Sequence, residues 1–430
     1  MRRIIFSASF AALAATALSA QATALSAQTI AITGGKVYPV SGPVIENGTV
    51  LVRDGRIVAV GANVAIPADA QRINATGKVV TPGIVNAATQ LGLVEVGAVP
   101  GTREASARGR DGVAAAFMPW EGLNPASVLL GPARDGGITS AVIYPQGGLI
   151  AGQAAVIHLV NGTVDDMVLR APVGMVASLG HTGNNVPRAE TIMRLREILT
   201  DARVYRTRRA DFERAQTRSF AASRLDLEAL LPVLDGRVPM IINADKASDI
   251  EAALKLANEF KFKLIIGGGA EAWEVAAKLA AAKVPVLTGA MNNIPDSFAS
   301  LGQRQENAGL LARAGVSVAL IGNAGGGDEE AFNVRNVRYE AGNAVAYGMD
   351  WNAALRAITL GPAEIFGVAD RVGSLQAGKM ADVVIWSGDP FEFASQPEQV
   401  FVRGVRVVAP SRQDLLEQRY KTLPPNYRAP

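Results

Sequence analysis

The chain has 430 residues, 49% of them hydrophobic and 19% charged, with a mean hydropathy of +0.19. Such a chain can build a large buried core, and its low charge content excludes a disordered, solvating polymer. Lysine and arginine number 42 against 39 acidic residues, a formal net charge of +3, and no basic run interleaved with aromatics points to nucleic acid.

The N-terminus carries Arg2 and Arg3, then an apolar, alanine-rich stretch over 4–20. Small residues follow, and both Ala20-Gln21-Ala22 and Ala22-Thr23-Ala24 fit an A-x-A cleavage site. This charged, apolar, small-residue order predicts a secretory signal peptide over 1–22. The heptapeptide at 15–21 recurs unchanged at 22–28, so cleavage as late as residue 28 also fits. Ser7, Ser9 and Thr16 interrupt the apolar stretch and argue against a membrane anchor. The expectation is a secreted or periplasmic protein with no membrane contact after cleavage.

Between residues 30 and 80 short β segments alternate with turns at Gly34-Gly35, Asn47-Gly48, Asp54-Gly55 and Gly61. Residues 49–53 and 56–60 read as a hairpin around Asp54-Gly55. The middle of the chain changes rhythm. Buried-type strands at 84–89, 140–144, 173–177, 239–243, 263–266, 284–287 and 317–321 alternate with amphipathic helices at 248–260, 271–282 and 298–314. This alternation predicts an α/β fold with a parallel sheet, most economically a closed (β/α)8 TIM-like barrel. Seven strands are evident, and the eighth is expected near a helical insertion over 190–234. The arginines of that insertion (Arg206, Arg208, Arg209, Arg214 and Arg218) read as a solvated helix face. The pattern returns to β at 381–387 and 399–408, and a helical, then proline-rich tail follows. The predicted organisation is a barrel over 81–373, a small β-sandwich built from both chain ends (29–80 and 374–410), and a tail over 411–430.

Several motifs carry a resemblance. Thr81-Pro82-Gly83-Ile84-Val85-Asn86 leads into the first barrel strand, and Glu46-Asn47-Gly48-Thr49-Val50 and Asp54-Gly55-Arg56-Ile57 precede it. Thr359-Leu360-Gly361-Pro362-Ala363-Glu364-Ile365-Phe366-Gly367 reads as the last barrel helix, and Gly373-Ser374-Leu375-Gln376-Ala377-Gly378-Lys379-Met380-Ala381-Asp382 as the turn back into the sandwich. In order and spacing these resemble the amidohydrolase superfamily over about 30–410. The segments from Asn243-Ala244-Asp245 and from Gly268-Gly269-Ala270-Glu271 resemble its imidazolonepropionase-like branch.

The resemblance implies one or two divalent metals, typically zinc, at the C-terminal mouth of the barrel. The family's ligands are two histidines on strand one, one each on strands five and six, and an aspartate on strand eight, with a lysine or glutamate from strand four bridging in two-metal members. Such donors hold the cation while it lowers the pKa of bound water. Here the corresponding positions read Ala88 and Gln90, Asn243, Gly267 or Gly268, and Asn323. Neutral amides are poor zinc ligands, and asparagine cannot act as a general base. The chain has two histidines and no cysteine, so no register rebuilds a four-histidine site and thiolate sites are excluded. His158 lies in an apolar run and is expected to be structural, whereas His181 follows a barrel strand in a loop that should face the mouth.

The candidate ligand-binding residues are Gln90, Glu104, His181, Asn243, Asp245 and Asn323, with Glu95 and Arg103 nearby. Glu104 and Asp245 are the one candidate acid–base pair, and no catalytic residue is assigned. By resemblance the formal class is a hydrolase of carbon–nitrogen bonds other than peptide bonds. The missing donors instead predict a cofactor-free, catalytically impaired protein. It would bind a small polar ligand or act as a subunit, in a homo-oligomer or beside an active paralogue. The alternative is a working hydrolase of cyclic amides or dipeptide derivatives with a different site.

Overall fold

The structure is a computed structural model describing residues 29–179, 186–291, 295, 298–322, 329–408 and 412–421. The expected signal peptide, His181 and Asn323 lie outside the described residues. β1 (Ile30–Val37), β2 (Ile45–Arg53) and β3 (Arg56–Gly61) form an antiparallel meander. Its β2–β3 turn holds Asp54 and Gly55 at φ of +52° and +72°, the left-handed pair that a two-residue hairpin turn requires. β4 (Gln71–Asn74) and β5 (Val79–Pro82) pair parallel to successive halves of β1.

A second eight-stranded sheet follows in sequence order. It comprises β6 (Ile84–Thr89), β7 (Ile138–Ile143), β8 (Ile150–His158), β9 (Val168–Ser178), β10 (Met240–Ala244), β11 (Leu264–Gly268), β12 (Val286–Thr288) and β13 (Val318–Leu320). It curls into a nearly closed barrel. At the seam the Val85 N–H donates to the Ile358 carbonyl at 2.9 Å, and helix Leu360–Ile365 packs against both β6 and β13. Val85, Val142, Ala154, Val176, Ile241, Ile265, Leu287 and Ala319, one from each strand, meet in a single buried cluster. This is the side-chain-filled interior of a TIM-like barrel.

The eighth strand is β8, earlier in the chain than the neighbourhood of the 190–234 insertion where it is expected. The insertion is helical, with helices Arg188–Thr207, Arg209–Glu213 and Arg224–Leu234. Only 144–149 separate β7 from β8, too few residues for a crossover helix, so β8 must return antiparallel, as it does to both neighbours. Gly147 and Gly148, at φ of +93° and +68°, make that reversal. The helix expected over 298–314 is also shorter, Asn307–Arg313, with turns before it.

β14 (Val383–Trp386), β15 (Pro397–Val402) and β16 (Val405–Arg406) bring the chain back to the first sheet. β14 pairs antiparallel with β5, from Val383 opposite Pro82 to Trp386 opposite Val79. Two buried polar connections join this sheet to the barrel. The His158 Nε2–H donates to both carboxylate oxygens of Asp382, at 2.9 and 3.0 Å, and Asp382 also accepts the Arg403 N–H. The Arg338 guanidinium donates to the carbonyls of Pro390 and Ser395 at 2.9 and 3.0 Å, and burial pushes its pKa below the ordinary arginine value. Among the described residues no helix is long and apolar enough to cross a membrane.

Candidate functional site

The seven parallel strands of the barrel all end at one face, where loops of this fold build sites. On β10, Ile241 points into the interior cluster, and Asn243, two residues on, shares its face. The Tyr144 hydroxyl, just past β7, donates to Asn243 Oδ1 at 2.7 Å, and Asn243 Nδ2 reaches Ser178 Oγ at 3.5 Å, at the end of β9. A phenol, a carboxamide and a hydroxyl thus line up across three strand ends.

The neighbouring strand makes room for this chain. Gly267 lies opposite Asn243 in the β10–β11 ladder, and a Cβ there would stand 2.2 Å from Asn243 Oδ1 and 3.0 Å from the Tyr144 hydroxyl. Gly268, at φ of +79°, would place a Cβ 2.5 Å from Asp245 Oδ1. Neither position accepts a larger residue while Asn243 and Asp245 keep their places.

Asp245 and Glu271 interlock the two loops beyond these strands. Asp245 Oδ1 accepts the Ala270 N–H at 3.3 Å, while Glu271 accepts the Ala247 N–H at 2.9 Å through Oε2 and the Gly302 N–H at 3.2 Å through Oε1. Asn307 Nδ2 adds a bond to the Gly269 carbonyl at 2.9 Å. The Asn243–Asp245 and Gly268–Glu271 motifs therefore hold each other in shape. At the end of β6, Ala88 packs against the interior cluster and Gln90 is buried. Asn86 bridges the Ala88 N–H and the Val334 carbonyl there. Glu104 is exposed beside Gly122. Glu95 accepts from Asn124 at 2.9 Å.

Three residues at the mouth were missed in the sequence: Tyr144, Ser178 and Glu340. Glu340 is fully buried on helix Val337–Ala346 and accepts the Ala290 and Met291 N–H groups at 2.6 and 2.8 Å. Its place between Val337 and Ala344 on one helical stripe was a readable signal. So was the position of Tyr144 and Ser178 at the ends of apolar strands.

The five insertion arginines are all ion-paired. Arg206 meets Asp235 at 2.7 Å, Arg208 and Arg214 share Asp211 at 3.0 and 2.9 Å, and Arg209 meets Glu228 at 2.8 Å. Arg218 pairs with buried Asp201. This is the solvated helix face that the spacing predicts.

The amidohydrolase family model matches residues 238–407, a span holding Asn243, both glycines and the motifs at 359–367 and 373–382. A solved amidohydrolase from Thermotoga maritima superposes with a TM-score of 0.79 at 28% identity, covering 89% of this chain and 100% of that one. The chain belongs to the amidohydrolase superfamily. It is also similar to the amidohydrolase tasK of Hapsidospora irregularis, at 26% identity over 400 residues, and to an imidazolonepropionase of Erwinia tasmaniensis, at 35% over 94 residues. Those matches cover 83% and 22% of this chain, and the chain spans only 39% and 23% of those relatives.

The described residues at this mouth do not make up the donor set for the divalent ions that the superfamily resemblance implies. Among the described residues no three of His, Asp, Glu or Cys stand together as an ion would require. Asn243 offers a neutral amide already engaged with Tyr144, and the space a ligand on β11 would need is taken. His158 ends the reversed strand β8 at the opposite end of the barrel, bound to Asp382. With two histidines in the chain, one imidazole at most remains for the mouth.

Proposed function

We propose that this is an exported, metal-free member of the amidohydrolase superfamily, formally a hydrolase of carbon–nitrogen bonds other than peptide bonds. It is catalytically impaired and binds a small polar ligand at the barrel mouth, or serves there as a subunit beside an active, histidine-bearing homologue. One observation carries the reading: a side chain at Gly267 would collide with Asn243 Oδ1 at 2.2 Å. On this reading a hydrogen-bonded amide fills the space that a donor on β11 would need. Neutral donors and acceptors such as Tyr144, Asn243 and Ser178 suit an uncharged amide or hydroxyl ligand.

The decisive experiment is metal content per chain after purification, with turnover of cyclic imides, lactams and blocked dipeptides measured with and without chelator. The expected result is less than about one tenth of an equivalent of metal and no chelator-sensitive turnover. Stoichiometric zinc with chelator-sensitive hydrolysis would overturn the proposal. It would favour the second reading, an active cyclic-amide hydrolase with a different site. That reading draws its support from the 35% identity to an imidazolonepropionase over 94 residues.

A further inference from the structure

At the opposite end of the barrel, away from the mouth, a hollow of about 750 Å³ opens beneath the first residues of β10, β11 and β12. That volume lies within the roughly 300–1,000 Å³ of small-molecule pockets. Its wall includes Leu254 and the buried rings of Phe262 and Phe366. Its rim is cationic. Arg170, Arg237, Lys261, Lys263 and Lys283 all line it, and the one acid among the lining residues, Glu364, is ion-paired with Arg356.

Lysines just beyond a helix C-terminus suit the helix dipole, which accounts for Lys261 and Lys283, after helices Ala247–Phe260 and Ala276–Ala281. It does not account for Arg170 on β9, for Arg237 ahead of β10 or for Lys263 ahead of β11, which converge on the same hollow from strands and loops. Lys261 and Lys283 adopt φ of +62° and +52°, the left-handed turn that ends a helix, so their backbone needs no ligand to account for it. Among the described residues neither Lys263 nor Lys283 has an ion-pair partner. Arg237 pairs with Asp235 at 3.2 Å and Arg170 donates to the Gly367 carbonyl at 2.6 Å, so the charge left uncompensated beside the apolar recess is that of the lysines, which repel one another unless an anion shares the hollow.

We propose that this hollow binds an amphiphilic anion: a phosphate or carboxylate head held by the lysine rim, with a short alkyl tail against Phe262 and Phe366. The site is independent of the mouth, so it stands or falls apart from the reading above. Titration calorimetry on the full chain with octyl phosphate, inorganic phosphate and octanol tests it. Saturable one-to-one binding of octyl phosphate is expected, tighter than either fragment and weakened by salt. The double variant K263E/K283E should bind about tenfold more weakly or worse. K255E, the same charge change on an exposed lysine outside the hollow, should bind as the parent does, and all variants should melt with the parent. Absence of saturable binding, equal binding of either fragment, or an unaffected double variant would each overturn the proposal.

Discussion

At residue scale the mouth is organised by an atom that is not there. Gly267 has no side chain, and the Asn243 carboxamide with its Tyr144 partner uses the space. Gly267→Ala should therefore cost about 1–3 kcal/mol as an overpacked site. Asn243→Ala opens the crowded space, so the glycine substitution should cost much less in that background than alone. A double-mutant cycle from urea unfolding measures this coupling, and additive effects would mean the two residues do not contend for one volume. The same crowding predicts that Gly267→His breaks the Asn243–Tyr144 hydrogen bond.

At element scale the most exacting piece is the loop between β14 and β15, fastened to helix Val337–Ala346 by Arg338. The guanidinium lies 4.3 Å from the Tyr339 ring centroid and 5.5 Å from that of Trp386, with Nη1 donating to loop carbonyls and Nη2 to the Tyr339 hydroxyl. Arg338→Met keeps the stem and strands those carbonyls, an expected loss of about 2–4 kcal/mol. Thermal melts give the total, and limited proteolysis should cut first within 387–396. The elements differed in how well the sequence announced them. The seven parallel strands were legible because each is a short apolar run bounded by turns and followed by a helix. β8 was not, because its small, buried residues on both faces erase the alternation of a half-exposed strand, and only Gly147-Gly148 marked its reversal. Asn243 and Gly268 were legible through the resemblance of their motifs to the superfamily. What spacing cannot express is contact across strands: that Tyr144 reaches Asn243, that Asp245 and Glu271 brace each other's loops, and that Glu104 stays exposed.

For the whole molecule, His158 and Asp382 join barrel and terminal sheet through a pair that is 1% and 3% exposed. Asp382→Ala should destabilise the chain by about 3–5 kcal/mol, since it leaves a buried imidazole without its partner. His158→Ala added to it should cost little more, and denaturant unfolding of the two single variants and the double decides the matter. The pairing of β5 with β14 has a further consequence, for biogenesis. A chain emerging N-terminus first completes β1–β5 long before β14 exists, so the free edge of β5 waits through some 300 intervening residues. An unpaired strand edge is an aggregation hazard. Nascent or truncated chains ending before β14 should therefore demand chaperone protection that the finished fold does not.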